Sequence, residues 1–147
     1  MRACCEKYRE PALFTRAGGC DGSRPYPRFV SRPLTPSEAA SALRRGIGIE
    51  QFISLADGVV RYLTSSRSGD GFTLREHVVH DDGTDDFADI SEFRPVAEDE
   101  ELGEGIRVGV FDTAEEAVQA ATAAGGAQDR WVNQAMAASD YLAAKRR

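Results

Sequence analysis

The sequence has little cysteine, and all of it lies near the start of the chain. Cys4, Cys5 and Cys20 are the only three. An odd number excludes a framework in which every cysteine is paired, and the spacing is not the C-x-x-C of zinc and redox sites. We therefore expect reduced thiols and no cysteine-bound metal.

Long apolar runs are also missing. No run approaches the roughly 20 residues that span a bilayer, and the first 30 residues lack the apolar stretch of a secretory signal. The sequence therefore predicts no membrane partner and a cytoplasmic location. A Walker loop, a dinucleotide-binding glycine pattern after a strand and a G-x-S-x-G elbow are absent too. These absences predict no cofactor and no catalytic residue, although a small enzyme stays open.

Basic residues are concentrated at the start of the chain. Residues 1–33 contain seven arginines and lysines against three acids, which leaves a net charge of −10 on residues 34–147 within a total of −6. Clustered positive charge supplies most of the affinity for phosphate backbones, so nucleic-acid binding by residues 34–147 is disfavoured. A nucleic-acid accessory role for the basic residues 1–33 ranks last among the functions considered.

The first 33 residues differ from the rest in composition. They are rich in proline and glycine and show neither helical nor strand periodicity. This pattern predicts a disordered arm, or a segment that precedes a later native start such as Val30. Residues 34–147 have the length of one domain and no internal repeat, so we predict a single α+β domain there.

Local signals predict the first elements of that domain. Thr35 and Glu38 form a capping box around a proline, and Gly46 follows the predicted helix as its stop signal. Residues 49–81 alternate in polarity and are interrupted by the turn sequences DG and GDG, which indicate a strand meander. A short strand through Ile90 and Phe93 is expected after it.

The C-terminal part is predicted to contain a strand and two helices. A strand at 106–110 leads into a helix that begins with a second capping box, Thr113 to Glu116, and ends at a glycine pair. A last helix over 128–144 is expected to carry Trp131 and Val132 on its apolar stripe. The predicted fold is an α+β antiparallel meander sheet of about four strands, packed against two C-terminal helices, with one N-terminal helix.

Residues 81–104, here called the acidic segment, contain eleven carboxylates and one arginine. An EF-hand loop beginning at Asp81 would need a glycine at its sixth position, where Asp86 stands, and an oxygen ligand at its third, where Gly83 stands. We therefore predict no metal site. Like charges at this density repel one another, so a basic protein that neutralises them would bind with electrostatic steering.

Apolar residues inside the acidic segment favour its attachment to the body of the domain. Phe87, Ile90 and Phe93 alternate with the acids, which predicts a charged stretch pinned between two strands. The residues predicted to bind a partner are Asp85, Asp86, Asp89, Glu100 and Glu101.

Two histidines form the second candidate site. His77 and His80 lie beside several acids, as an acid–base pair or a metal cluster would. Residues three apart in a regular strand point to opposite faces, so the two imidazoles should diverge. A structural role is favoured, although either histidine remains a candidate acid–base group.

Four segments together resemble a known group of sequences. GIEQFI at 48–53, DDFADISEF at 85–93, GEGIRVGVFDTAEEAVQAA at 103–121 and RWVNQ at 130–134 are similar to a group of small uncharacterised bacterial proteins. The likeness covers about residues 35–143. It implies a domain boundary near the first helix, and no substrate, cofactor or partner.

Two functions follow as hypotheses. The first is a noncatalytic protein-interaction module, for example an inhibitor or immunity-type partner that binds a basic protein through the acidic segment. The second is a small-ligand-binding protein or small enzyme, with a pocket between the sheet and the C-terminal helices that uses His77 or His80. The sequence predicts no oligomeric state.

Overall fold

A computed structural model describes residues 31–147. The three cysteines and nearly all of the predicted N-terminal arm lie outside this range. Residues 31–147 form an α+β structure in the order α1, β1, β2, β3, β4, α2, β5, α3. None of the helices in this range is long and apolar enough to cross a membrane.

Helix α1 (Pro36–Arg44) begins and ends as the sequence predicts. Thr35 Oγ1 accepts a hydrogen bond from the Glu38 amide at 3.3 Å, and Glu38 Oε2 accepts one from the Thr35 amide at 2.8 Å. Two amides of the first turn are thereby satisfied. Gly46 follows at a φ of 80°, a conformation that ends a helix without a Cβ clash.

The sheet has five antiparallel strands and is open. The predicted meander is present as β1 (Ile49–Ala56), β2 (Val59–Ser68) and β3 (Gly71–His80). β4 (Ile106–Phe111) pairs with β3, and β5 (Val132–Asn133) pairs with β1, which gives the order β4-β3-β2-β1-β5. The prediction of about four strands missed β5.

The sheet carries an apolar cluster on each face. One cluster contains buried residues of α1, α2 (Ala114–Ala120) and Trp131, packed on Leu63 and Leu74. The other joins Tyr62 and Val79 to α3 (Ala137–Lys145) and to the acidic segment. The α+β prediction is confirmed, but the two C-terminal helices lie against opposite faces of the sheet.

Among the described residues β4 is an edge strand of the sheet, and its pairing contains an irregularity. Its pairing with β3 shifts register between Leu74 and Arg75, so Val108 has no opposite residue. Regular pairing on β4 is limited to 106–107 on one side of the shift and 109–111 on the other.

The acidic segment contains no regular strand. The prediction of a strand through Ile90 and Phe93 was wrong, because Ile90–Glu92 forms a 3-10 turn. The Asp89 side chain caps this turn by accepting a hydrogen bond from the Ser91 amide. The segment pairs with β3 through one isolated antiparallel bridge, between Val79 and Pro95. Ile90 and Phe93 are nevertheless buried, so the predicted attachment of the segment is confirmed for both, whereas Phe87 is 40% exposed.

The C-terminal helix was placed wrongly. α2 starts at its predicted capping box, and Gly125 ends the short 3-10 turn that follows it. The chain then forms β5, and α3 begins only at Ala137. Trp131 and Val132 therefore belong to extended chain and face opposite sides of the sheet, Trp131 towards the α1 and α2 cluster and Val132 towards α3. Ala135, at a φ of 69°, interrupts any helix before Ala137.

Candidate functional site

A cavity of about 370 Å³ lies on the sheet face that carries α3, and is here called the sheet cavity. Side chains of three strands form its floor, and the walls come from the acidic segment and from the turn after β5. The lining side chains used below are Glu50, Tyr62, Thr64, Arg75, His77 and Gln134. The register places Thr64 opposite both Glu50 and Arg75, and Tyr62 opposite His77.

His77 is buried in the floor of this cavity, with 3% of its surface exposed. Its ring stacks on Tyr62 with centroids 4.3 Å apart and planes 6° from parallel. Nε2 lies 2.9 Å from Thr64 Oγ1, whereas Nδ1 is buried without a hydrogen-bond partner among residues 31–147. Burial lowers the pKa of His77 to about 4, so the imidazole is neutral at pH 7.

A glycine allows the loop before β4 to approach His77. A Cβ on Gly105 would lie 2.5 Å from Cε1 and 2.7 Å from Nδ1 of the imidazole, and the backbone of Gly105 has a φ of 65°. Arg75 Nη1 holds the loop by donating to the carbonyl oxygens of Glu104 at 2.9 Å and Gly105 at 3.1 Å. The glycines of the GEG sequence at 103–105 were the available sequence signal for this close approach.

Glu50 is the acidic group of the sheet cavity, and sequence reasoning missed it. Its side chain projects from β1, and Oε2 accepts a hydrogen bond from the amide of Ala137 at 3.4 Å. α3 has no side-chain cap of its own at Met136, so Glu50 caps this helix from a distant strand. Burial raises the pKa of Glu50, although the amides of Ala135 and Ala137 act in the opposite direction. A charged residue inside a predicted strand was the available signal.

A smaller cavity of about 240 Å³ adjoins Glu50 on its other side. Asp89 and the start of α3 line it, and Glu50, Ser91 and Gln134 line both cavities. The carboxylate of Glu50 therefore stands between two spaces that together reach from β2 to α3.

The two histidines diverge, as strand geometry predicts. His80 ends β3 and is exposed, whereas His77 lines the sheet cavity. Within residues 31–147, no three histidine, aspartate or glutamate side chains converge as metal ligands would.

The five residues predicted to bind a partner differ in their surroundings. Asp85 is largely exposed and lies 3.9 Å from Arg146 of the C-terminus, and Asp86 is exposed. Asp89 caps the 3-10 turn, Glu100 is half-buried with Oε2 unpartnered in the described part of the chain, and Glu101 is exposed.

Other carboxylates of the acidic segment are neutralised within the molecule. Asp81 pairs with Lys145 Nζ at 2.8 Å and accepts from the hydroxyl of Tyr141. Asp82 pairs with Arg94 at 2.7 Å, and this contact lowers the pKa of Asp82 to about 2. The self-repulsion expected of the segment is therefore partly relieved by its own arginine and by α3.

Comparisons of this chain with protein-family models, with curated proteins and with solved structures each find no match.

Proposed function

We propose that this chain is a noncatalytic binding protein that holds a small polar molecule in the sheet cavity. The observation that carries the proposal is the buried imidazole of His77, a residue that lines the sheet cavity and whose Nδ1 has no hydrogen-bond partner among the described residues. An unpaired buried polar atom costs about 1 to 3 kcal/mol, which a ligand that hydrogen-bonds to it would recover.

The dimensions and lining of the sheet cavity also support binding. Ligand sites are usually concave spaces of about 300 to 1,000 Å³ in which a few polar groups are placed among apolar and aromatic ones. The aromatic part here is Tyr62, and the polar part includes Glu50, Thr64 and His77. These groups come from three paired strands, so their spacing is fixed by the sheet.

The same groups are poorly suited to acid–base catalysis. An effective general base has a pKa near the working pH, and burial holds the pKa of His77 at about 4. Glu50 already accepts a hydrogen bond from the backbone amide of Ala137 at the start of α3. Binding therefore accounts for the geometry better than a reaction does.

A ligand panel with a blocked variant tests the proposal. Amines, carboxylic acids, sugars and nucleosides are screened by thermal shift. A ligand at 100 times its Kd should raise the free energy of unfolding by about 2.7 kcal/mol and Tm by about 8 °C. Gln134→Trp, at an exposed lining position, should fill the cavity and abolish the shift. Asn133→Trp, exposed but outside the lining, is the matched control and should keep it.

A flat response to the whole panel would remove the proposal. A ligand that shifts Gln134→Trp as much as the unmodified chain would show that it binds elsewhere.

A second candidate function is the binding of a basic protein through the acidic segment. The observation that favours it is the stretch from Glu98 to Leu102, where exposed apolar surface adjoins acids that form no ion pair within residues 31–147; Leu102 is 59% exposed, and only Glu100 is half-buried. Mixed apolar and charged surface is common at interfaces, and the charges would steer association.

A charge-matched pair of variants tests this second function. One variant neutralises Asp85, Asp86, Glu100 and Glu101 to their amides; the control neutralises four exposed acids elsewhere, Asp57, Asp70, Asp112 and Asp129. A basic partner captured by the unmodified chain should be lost from the first variant and kept by the second, with a strong salt dependence. Equal capture by both variants would contradict the interaction.

A further inference from the structure

Residues 97–105, here called the cavity loop, leave β3 and return to it on either side of His77. Just before the loop, the chain donates an amide hydrogen bond to the carbonyl of Val78 at 3.0 Å, and just after it the chain pairs with Glu76. Compact surface loops of this length whose ends lie close together are Ω-loops, which are frequently functional. The loop therefore closes over one point of β3, and the residue at that point is His77.

The cavity loop covers the imidazole of His77. Gly105 is the buried residue of the loop, and a Cβ added to it would lie 2.7 Å from Nδ1 of the imidazole. Nδ1 is itself buried and has no hydrogen-bond partner among residues 31–147. Gly103 and Glu104, also in the loop, line the sheet cavity. A molecule in the cavity can therefore reach Nδ1 only after the loop has moved.

Few interactions hold the cavity loop to the sheet. Neither apolar cluster of the described residues includes any of its residues, and its two turn hydrogen bonds, at 3.3 Å and 3.0 Å, stay within the loop. Within residues 31–147, the side-chain hydrogen bonds that join it to the sheet both come from Arg75 Nη1, to the carbonyl oxygens of Glu104 and Gly105. Segments with few buried apolar contacts open at a lower free energy than the whole protein unfolds.

The charge of the cavity loop opposes its closed position. In the described part of the chain, none of its carboxylates lies within 4.0 Å of a lysine or arginine nitrogen. These carboxylates are Glu98, Asp99, Glu100, Glu101 and Glu104. Glu100 Oε2 is also buried without a hydrogen-bond partner there. Like charges repel, and an unpaired buried oxygen costs free energy, so both effects favour opening. Arg75 is the group that opposes them.

We propose that the cavity loop is a lid over the sheet cavity, that Arg75 is its latch, and that opening moves Gly105 off His77 and admits the ligand. The inference rests on the proposed binding function and adds the control of access to the same site. Gly103 and Gly105 have φ values of 73° and 65°, in the region that glycine adopts without a Cβ clash. The end of the loop next to β4 can therefore rotate as a hinge.

Chemical modification of the imidazole measures the opening. Diethyl pyrocarbonate at pH 7 acylates imidazoles that it can reach, and mass spectrometry gives separate rates for His77 and for the exposed His80 of the same chain. His77 is expected to react about tenfold more slowly, or less, than His80. Its rate should stay constant in urea below the unfolding transition, because a local opening exposes little surface. A rate that rises with urea in parallel with global unfolding would overturn the lid.

Removing the latch should open the lid. Arg75→Met keeps most of the side-chain length and removes both hydrogen bonds to the loop. The rate at His77 is expected to rise about tenfold while the rate at His80 is unchanged. Arg107→Met is the matched control, since Arg107 is exposed, lies opposite Arg75 on β4 and is not part of the cavity lining. Equal rates at His77 in the two variants would overturn the latch.

A second variant tests the lid without changing Arg75. In Gly105→Ala the new methyl group has no room above the imidazole when the loop is closed, so the loop should stay open. His77 should then react about as fast as in Arg75→Met. A rate unchanged from that of the unmodified chain would overturn the lid.

The modification needs no ligand, so the lid and the binding function can fail separately. If the rates are as expected and the thermal-shift panel is flat, the opening is supported and the binding function is removed. If a panel compound binds and the rate at His77 responds to neither variant, the lid is removed and the binding function stands.

Discussion

Replacing Gly83 by alanine is expected to lower the free energy of unfolding by about 3 kcal/mol, because the new methyl group has no free space. A Cβ at this position would overlap the hydroxyl of Tyr141 and lie 2.8 Å from Cζ of Phe93. Neither ring is free to yield. Tyr141 Oη donates to Asp81, and its ring meets Phe93 edge-on with centroids 5.3 Å apart.

Urea denaturation of Gly83→Ala and of Gly58→Ala separates overlap from backbone strain. Gly58 has a φ of 72°, and a Cβ added there would have no atom within 4 Å, so alanine should cost about 1 kcal/mol through backbone conformation alone. Tyr141→Phe should reduce the cost of Gly83→Ala, since it removes one overlapping atom. A Gly83→Ala variant no less stable than Gly58→Ala would contradict this packing.

The stability of the protein is expected to depend on pH through His77. The pKa of His77 is about 4 in the folded state against an ordinary value of 6.5, so below pH 6.5 the unfolded chain takes up a proton that the folded chain does not. The contribution of His77 is therefore complete above pH 6.5 and is lost as the pH falls to 4. Over this window the loss is about 3 kcal/mol.

The difference between the unmodified chain and His77→Gln isolates this contribution. Denaturation at several pH values between 4 and 7 should show the unmodified chain losing about 3 kcal/mol more than the variant. The pKa of Glu50 is raised, so its contribution to the free energy of unfolding increases as the pH falls. The pKa of Asp82 is lowered, so its contribution decreases at the acid end. Both residues are present in the unmodified chain and in the variant, so their contributions cancel in the difference. Parallel curves for His77→Gln would contradict the burial of a neutral imidazole.

Elements whose signals are local were predictable from sequence. The capping boxes at Thr35 and Thr113 each involve residues three apart, and the meander turns are set by adjacent glycine and aspartate. β5 was not predictable in this way, because its two residues become a strand only by pairing with β1, more than 80 positions earlier. The break before α3 at Ala135 was not predictable from sequence either, because alanine rarely adopts a positive φ and favours helix.

The same distinction between local signals and long-range contacts applies to the candidate site. His77 could be named from sequence because histidine is rare in this chain and acids lie near it. Its partners could not, because Thr64 and Tyr62 reach it only through the register of β2 on β3. Glu50 caps α3 although 87 sequence positions separate it from Ala137, and no sequence motif predicts a contact over that distance.

The register shift in β4 bears on how the protein avoids aggregation. An outermost strand with exposed β-branched side chains favours the addition of a strand from another molecule, and Ile106 and Val110 are 56% and 57% exposed. An incoming strand needs regularly spaced amide and carbonyl groups. The shift at Val108 divides β4 into regular stretches of two and three residues, which are too short to act as a template for sheet growth. The irregularity thus lets this edge remain apolar in a crowded solution without recruiting further copies into a continuous sheet.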